Sequence, residues 1–241
     1  MYGVHAVSRA LKEGPRRVTT LYLQAGRDDA TTARLRNAAA AHEIAVEVVA
    51  KHRLAQMTGS GKHQGVAAFV DSLPPLGERQ LEALVDDLET PFLLALDGVQ
   101  DPHNLGACLR SAVAAGVDAV IVPRDRAVGI TAAVRKVAAG AAEAIAVAQV
   151  ANLSRVLRML AKKNVWCYGA AAAEGRELYQ LDLRGPLCLV LGGESDGLRR
   201  LTREHCDELF NIPMAGDIES LNVSVAAGIC LFEALRQRRA G

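Results

Sequence analysis

Hydrophobic positions in the first 71 residues switch period several times. Val7 and Leu11 stand one helical turn apart, Val18-Thr19-Thr20-Leu21-Tyr22-Leu23 reads as a strand, a helical pattern runs from Asp29 to His42, and Ile44 to Val49 forms a second strand. A short helix around Leu54 and the apolar run Val66-Ala67-Ala68-Phe69-Val70 complete a small α/β unit. Pro74-Pro75 and the acidic stretch Glu78 to Glu89 then read as a connector. Alternation resumes with the strand Phe92 to Leu96, a helix from Leu105 to Ala115 and the strand Ala119 to Val122. Later come a helix from Asn152 to Lys163, strands at Val165 to Gly169, Leu187 to Leu191 and Leu209 to Ile212, and a closing helix from Asn222 to Arg239. Continuous apolar strands separated by helices predict a mostly parallel sheet covered on both faces. The expected organisation is thus an α/β chain: a small domain over 1–72, a linker over 73–90 and a parallel-sheet domain over 91–241.

Composition narrows the class. With 241 residues, 50% hydrophobic and 23% charged, the chain buries a sizeable core. It holds no run of about 18 apolar residues, and its opening lacks the basic-then-apolar order of a secretory signal, so a cytoplasmic protein with no membrane partner is expected. The five cysteines form no C-x-x-C pair, which speaks against a disulfide framework or a metal site and makes them small hydrophobes. The net charge of +1 hides an asymmetry: +4 up to Leu73 (10 basic, 6 acidic), −4 up to Thr90 (1 and 5) and +1 beyond (17 and 16). A basic front end permits a polyanionic partner.

In open α/β sheets ligands bind beyond the carboxyl ends of strands. Three such segments are rich in polar residues: Asp97 to Arg110, Gly192 to Leu198, and Ile212-Pro213-Met214 with Glu219 to Ser224. Gly59-Ser60-Gly61-Lys62-His63 resembles a phosphate loop but lacks Ser or Thr after the lysine, and no Gly-x-Gly-x-x-Gly follows the first strand of either domain. On the residues alone, Asn104 is either a helix cap or a ligand, and Arg110 either a surface charge or a guanidinium held about 9 Å further along that helix. Gly192-Gly193 either makes a turn or leaves backbone open to a planar ligand such as adenine. Glu194 is a loop charge or a group fixing the site, and Ser220 and Asn222 are caps of the last helix or members of one pocket.

Together these segments resemble the three motifs of the SpoU, or TrmH, family of RNA ribose 2'-O-methyltransferases in the SPOUT class. Asn104 and Arg110 match its Asn-x5-Arg, Gly192-Gly193-Glu194 with Gly197 matches the second motif, and Ile212-Pro213-Met214 with Ser220-Leu221-Asn222-Val223-Ser224 matches the third. At the front, Tyr2-Gly3-Val4-His5-Ala6-Val7 and His63-Gln64-Gly65-Val66 are similar to the substrate-binding domain of the 23S rRNA guanosine-2'-O-methyltransferases.

The resemblance implies a deep trefoil knot, with S-adenosylmethionine bound there by Gly192, Gly193, Ile212, Met214 and Leu221. It implies methyl transfer to a guanosine 2'-hydroxyl in 23S rRNA or a ribosomal precursor, without a metal, with Asn104, Arg110, Glu194, Ser220 and Asn222 as catalytic residues. A tRNA ribose methyltransferase, or a non-catalytic RNA-binding assembly factor, is the alternative. Because a guanidinium stays protonated at neutral pH, Arg110 is expected to clamp a phosphate and stabilise the developing alkoxide; it can act as a base only if its pKa falls sharply. Lys12, Arg16, Arg17, Lys51, Arg53 and Lys62 are the expected RNA contacts. The closing helix, apolar almost all round, predicts a homodimer in which Ala226, Ala227 and Gly228 allow close approach.

Overall fold

The computed structural model describes residues 1–71, 74–172, 175–193 and 197–240, the side chains of Glu13 and Arg16 excepted. The chain forms two compact units, Met1–Leu73 and Pro74–Gly241.

In the first unit, α1 (Val4–Glu13), β1 (Val18–Gln24), α2 (Ala30–Ala40), β2 (Ala45–Val49), α3 (Lys51–Thr58) and β3 (Val66–Val70) follow one another. The sheet order is β2-β1-β3, with β1 parallel to β2 and antiparallel to β3. Val7 and Leu11 of α1 and Leu35 and Ala39 of α2 bury against Leu21, Leu23 and Val66. The two front motifs meet each other. Gly3 N donates to Val66 O at 3.0 Å, and Val4 N, at the start of α1, donates to Gln64 Oε1 at 3.0 Å. His63 is buried, and its Nδ1 accepts from Gly65 N at 3.0 Å. This pairing gives His63-Gln64-Gly65 a job within the fold: it satisfies an otherwise orphaned amide of the first helical turn and leaves Lys62 exposed beside it.

The second unit opens with α4 (Glu78–Asp86) and continues through β4 (Phe92–Asp97), α5 (Pro102–Ala115), β5 (Ala119–Pro123), α6 (Ala132–Ala138), α7 (Ala141–Ala144) and β6 (Ala146–Val150). Then come α8 (Leu153–Lys162), β7 (Trp166–Ala170), β8 (Arg176–Glu177), β9 (Leu187–Gly192), α9 (Arg200–Glu204), β10 (Glu208–Asn211) and α10 (Val223–Ala240). The seven strands order as β6-β5-β4-β9-β7-β10-β8 with every pairing parallel. Alternation along β4 sends Phe92, Leu94 and Leu96 to one core with α5 and α10, and Leu93 and Ala95 to another with α4 and α8. Among the described residues no helix is long and apolar enough to cross a membrane.

The expected linker over 73–90 differs in the structure. Its acidic stretch is α4, which belongs to the second unit: Leu81 and Val85, one turn apart, are buried in the core, while Glu78 pairs with Arg155 at 2.5 Å and Asp86 with Lys163. Burying two aliphatic side chains contributes about 1.5–3 kcal/mol each, against roughly 0–1 for an exposed ion pair. The apolar spacing therefore decides the segment's fate over its charge.

Candidate active site

The carboxyl ends of β4 and β9, neighbours at the centre of the sheet, open onto two adjoining cavities. One, of about 390 Å³, is mainly apolar: Leu191, Phe210, Ile212, Met214 and Leu221 line it, with Gly192, Gly193, Glu219 and Ser220 at its wall. The other, of about 300 Å³, is polar and is lined by Asp97, Gln100, Asp101, Asn104, Arg126 and Arg199. Gly193, Gly197 and Val223 belong to both walls.

Asp97 organises the junction. It ends β4 and is 1% exposed, so its carboxylate needs partners. Oδ2 accepts from Arg199 N at 3.0 Å, Oδ1 accepts from Arg199 Nε at 2.5 Å, and Gly193 N donates to the Asp97 carbonyl at 2.9 Å. One residue thereby fastens both sides of the loop after β9 to the end of β4: its backbone carbonyl holds Gly193 and its buried carboxylate holds Arg199. Sequence reasoning passed over this residue; the signal was a charge closing an otherwise wholly apolar strand.

Of the two readings open to Gly192-Gly193, the turn has direct geometric support. A Cβ at Gly192 would stand 2.0 Å from the Gly197 carbonyl carbon, and one at Gly193 would stand 2.7 Å from Gly98 O. Backbone approaches backbone here, so the pair closes the loop upon itself and on the β4 end rather than merely clearing room for a ligand.

Asn104 and Asn222 are brought together: Asn222 Nδ2 donates to Asn104 Oδ1 at 3.0 Å. Asn222 Oδ1 in turn accepts from Ser224 N at 2.9 Å and Ser224 Oγ at 2.6 Å, fixing the start of α10. Asn104 is not the cap of its helix. Asp101 is, accepting from His103 N at 2.9 Å with Pro102 in the first helical position, which frees the buried Asn104 amide for its partner.

Gly192, Gly193, Ile212, Met214, Leu221 and Ser220 all line the apolar cavity. Arg110 lines neither cavity; it is exposed on α5 and has no hydrogen bond or ion pair among the described residues. Glu194 lies outside the described residues, as does the Arg16 side chain. In the first unit Lys12, Lys51, Arg53 and Lys62 are exposed, whereas Arg17 is half-buried and its Nε donates to Asp71 O at 3.3 Å. Burial pushes the Cys108 and Cys230 thiols up to about 12, so neither is a thiolate nucleophile near neutrality.

On α10, Ala227 packs into its own core, Ala226 borders the apolar cavity and Gly228 faces Ser111 of α5. The outward apolar stripe is Val225 and Phe232, 51% and 49% exposed, with Ile229 between them half-buried against the chain's own core. The small residues Ala226, Ala227 and Gly228 pack against the cavity, the core and α5 of their own chain.

Comparison with known proteins follows the same division. A model described as SpoU rRNA Methylase family matches residues 91–232, and one described as RNA 2'-O ribose methyltransferase substrate binding matches residues 1–76. The chain is 51% identical over 238 residues to the 23S rRNA (guanosine-2'-O-)-methyltransferase RlmB of Pectobacterium atrosepticum, covering 99% of this chain and 98% of the relative. It is 49% identical over 238 residues to RlmB of Escherichia coli (strain K12), with the same coverage of each. The crystal structure of the SpoU methyltransferase AviRb from Streptomyces viridochromogenes, in complex with AdoMet, superposes with a TM-score of 0.78 at 26% identity, covering 100% of this chain and 90% of that one.

Proposed function

The chain belongs to the SpoU rRNA Methylase family, and we propose that it transfers the methyl group of S-adenosylmethionine to the ribose 2'-hydroxyl of a guanosine in 23S rRNA. The observation that carries this reading is the pair of cavities with a shared wall, one apolar and one polar. Two reactants held on either side of Gly193, Gly197 and Val223 meet there. The near-full-length identity to RlmB proteins favours rRNA over tRNA as substrate and the guanosine ribose as target.

The apolar cavity fits the cofactor. Its volume of about 390 Å³ lies within the usual range for small-molecule clefts, and its aliphatic and aromatic walls carry a few polar groups, as an amphiphilic nucleoside requires. Gly192, Gly193, Ile212, Met214 and Leu221 hold it in this reading. Bound there, it supplies an electrophilic methyl on a sulfonium.

The protein's own part is alignment and charge. Asn222 and Asn104 tie the last helix to α5, and Asp97 with Arg199 fixes the loop between the cavities, so the geometry is preset before RNA arrives. Ser220 stands at the cavity wall, and Glu194 keeps the catalytic role that the family resemblance gives it. Arg110, exposed and unshared, remains the guanidinium assigned to the developing alkoxide and its neighbouring phosphate. Since it lines neither cavity of its own chain, it acts on a site completed by a second copy. The path of β9 and β10 to either side of β7 is the basis for reading the C-terminal segment as the family's trefoil knot. We read the enzyme as cytoplasmic.

The dimer forms through α10 in this account, its outward stripe being the apolar surface a second copy covers. Light scattering behind a sizing column is expected to give about twice the 25.6 kDa chain mass, and Phe232→Glu to return it to the monomer value with loss of methyl transfer. A monomeric wild-type protein would remove the shared site.

The front unit selects RNA through its exposed cations. Replacing Lys51, Arg53 and Lys62 together by alanine is expected to weaken 23S rRNA binding and to flatten its log-log salt dependence by roughly one unit per lost phosphate contact. Filter binding from low to physiological salt measures it; an unchanged slope would place recognition on the second unit. Transfer of tritium from labelled S-adenosylmethionine into unmethylated 23S rRNA, and not into tRNA, tests the function as a whole.

A further inference from the structure

We infer that Arg126 grips a phosphate flanking the target ribose and thereby seats the nucleotide in the polar cavity, an assignment that rests on the 2'-O-methyltransferase reading above. Among the described residues the cavity is lined by four charged side chains. Asp97 and Arg199 neutralise each other, and Asp101 is committed to capping α5. Arg126 is the remaining cation: it lines the cavity and has no hydrogen bond or ion pair among the described residues.

Its backbone is costly to hold. Arg126 has a φ of 56°, a left-handed conformation that side-chain-bearing residues rarely adopt and that glycine adopts freely. The surrounding loop keeps it there. Val128 N donates to Val99 O at 2.9 Å, binding the loop after β5 to the loop after β4. A glycine at 126 would relax the turn, yet the position carries the longest cationic side chain available and presents it at the mouth of a cavity. A guanidinium is also the side chain best matched to a phosphate, offering two parallel N–H donors to two oxygens. Strain retained at a ligand-facing residue is the pattern expected where function outweighs local stability.

The glycine variant makes the test separable from folding. Arg126→Gly should melt at the wild-type temperature or above, because it relieves the strained turn. It should bind S-adenosylmethionine within twofold of wild type by calorimetry, while kcat/KM for 23S rRNA falls roughly 10- to 100-fold, mostly through KM, as loss of a charge-assisted contact implies. Arg126→Lys should recover part of that loss, and Arg124→Ala, an exposed neighbour outside the cavity wall, should leave it unchanged. The salt slope of RNA binding should drop by about one for Arg126→Gly alone. A kcat/KM for Arg126→Gly within threefold of wild type, an equal loss with Arg124→Ala, or a matching loss of cofactor affinity would overturn the assignment. A wild-type protein that transfers no methyl to 23S rRNA would overturn the underlying reading and this assignment with it.

Discussion

Gly192→Ala is expected to lower S-adenosylmethionine affinity more than 100-fold. The added methyl would lie 2.0, 2.1 and 2.4 Å from the Gly197 carbonyl carbon, its oxygen and Leu198 N, all of them backbone atoms that no rotamer change moves away. Accommodation requires the loop after β9 to shift, and that loop borders both cavities. Overpacking of this kind costs about 1–3 kcal/mol, which for a chain of this size lowers the melting temperature by roughly 2–12 °C. Gly197→Ala is the contrasting case: its φ of 60° is left-handed but nothing lies within 4 Å of the added carbon, so only a conformational penalty of about 1 kcal/mol is expected. Calorimetric titration of both variants checks the contrast, and equal behaviour would show that close backbone packing is not what the second motif protects.

Arg110→Ala should reduce methyl transfer by 10²- to 10³-fold, the scale set by removing one preorganised electrostatic group, while cofactor affinity stays within a few-fold. Its exposure on α5 makes a folding effect above about 0.5 kcal/mol unexpected. Mixing two inactive chains asks where it acts. In a heterodimer of Arg110→Ala with Gly192→Ala, the intact cofactor cavity of the first chain faces the intact Arg110 of the second. Transfer should therefore reappear on mixing. If the mixture stays inactive although heterodimers form, Arg110 serves its own chain and the interface has no part in the reaction. Strong loss of cofactor binding by Arg110→Ala would contradict its assignment to the RNA side.

Much of this architecture was legible because apolar runs are continuous in a sheet covered on both faces. Phe92 to Leu96 and Leu187 to Leu191 announce the two central strands, and the polar residues that follow each run mark the cavities. The remaining elements carry weaker or competing signals. The strand Ala146–Val150 is hidden in an alanine-rich stretch whose composition suits helices as well, and Ala132–Ala138 and Ala141–Ala144 were lost in the same run. Residues Glu78–Asp86 look like a connector by charge and are a packed helix by the spacing of Leu81 and Val85. Asp101-Pro102 marks the start of α5, so of the two readings open to Asn104, cap or ligand, the cap falls to Asp101. Asp97 at the end of β4 and Arg126 and Arg199 from two separate loops gather at the polar cavity, and that convergence belongs to the fold rather than to any local pattern.

The most direct test of the central claim is nucleoside analysis by mass spectrometry after the purified protein has been incubated with S-adenosylmethionine and unmethylated 23S rRNA. The account predicts 2'-O-methylguanosine at a single position, absent with Gly192→Ala and restored when the wild-type chain is supplied. A base-methylated nucleoside, a 2'-O-methyl group on another nucleotide, or no modification of 23S rRNA by an enzyme that binds the cofactor would contradict it.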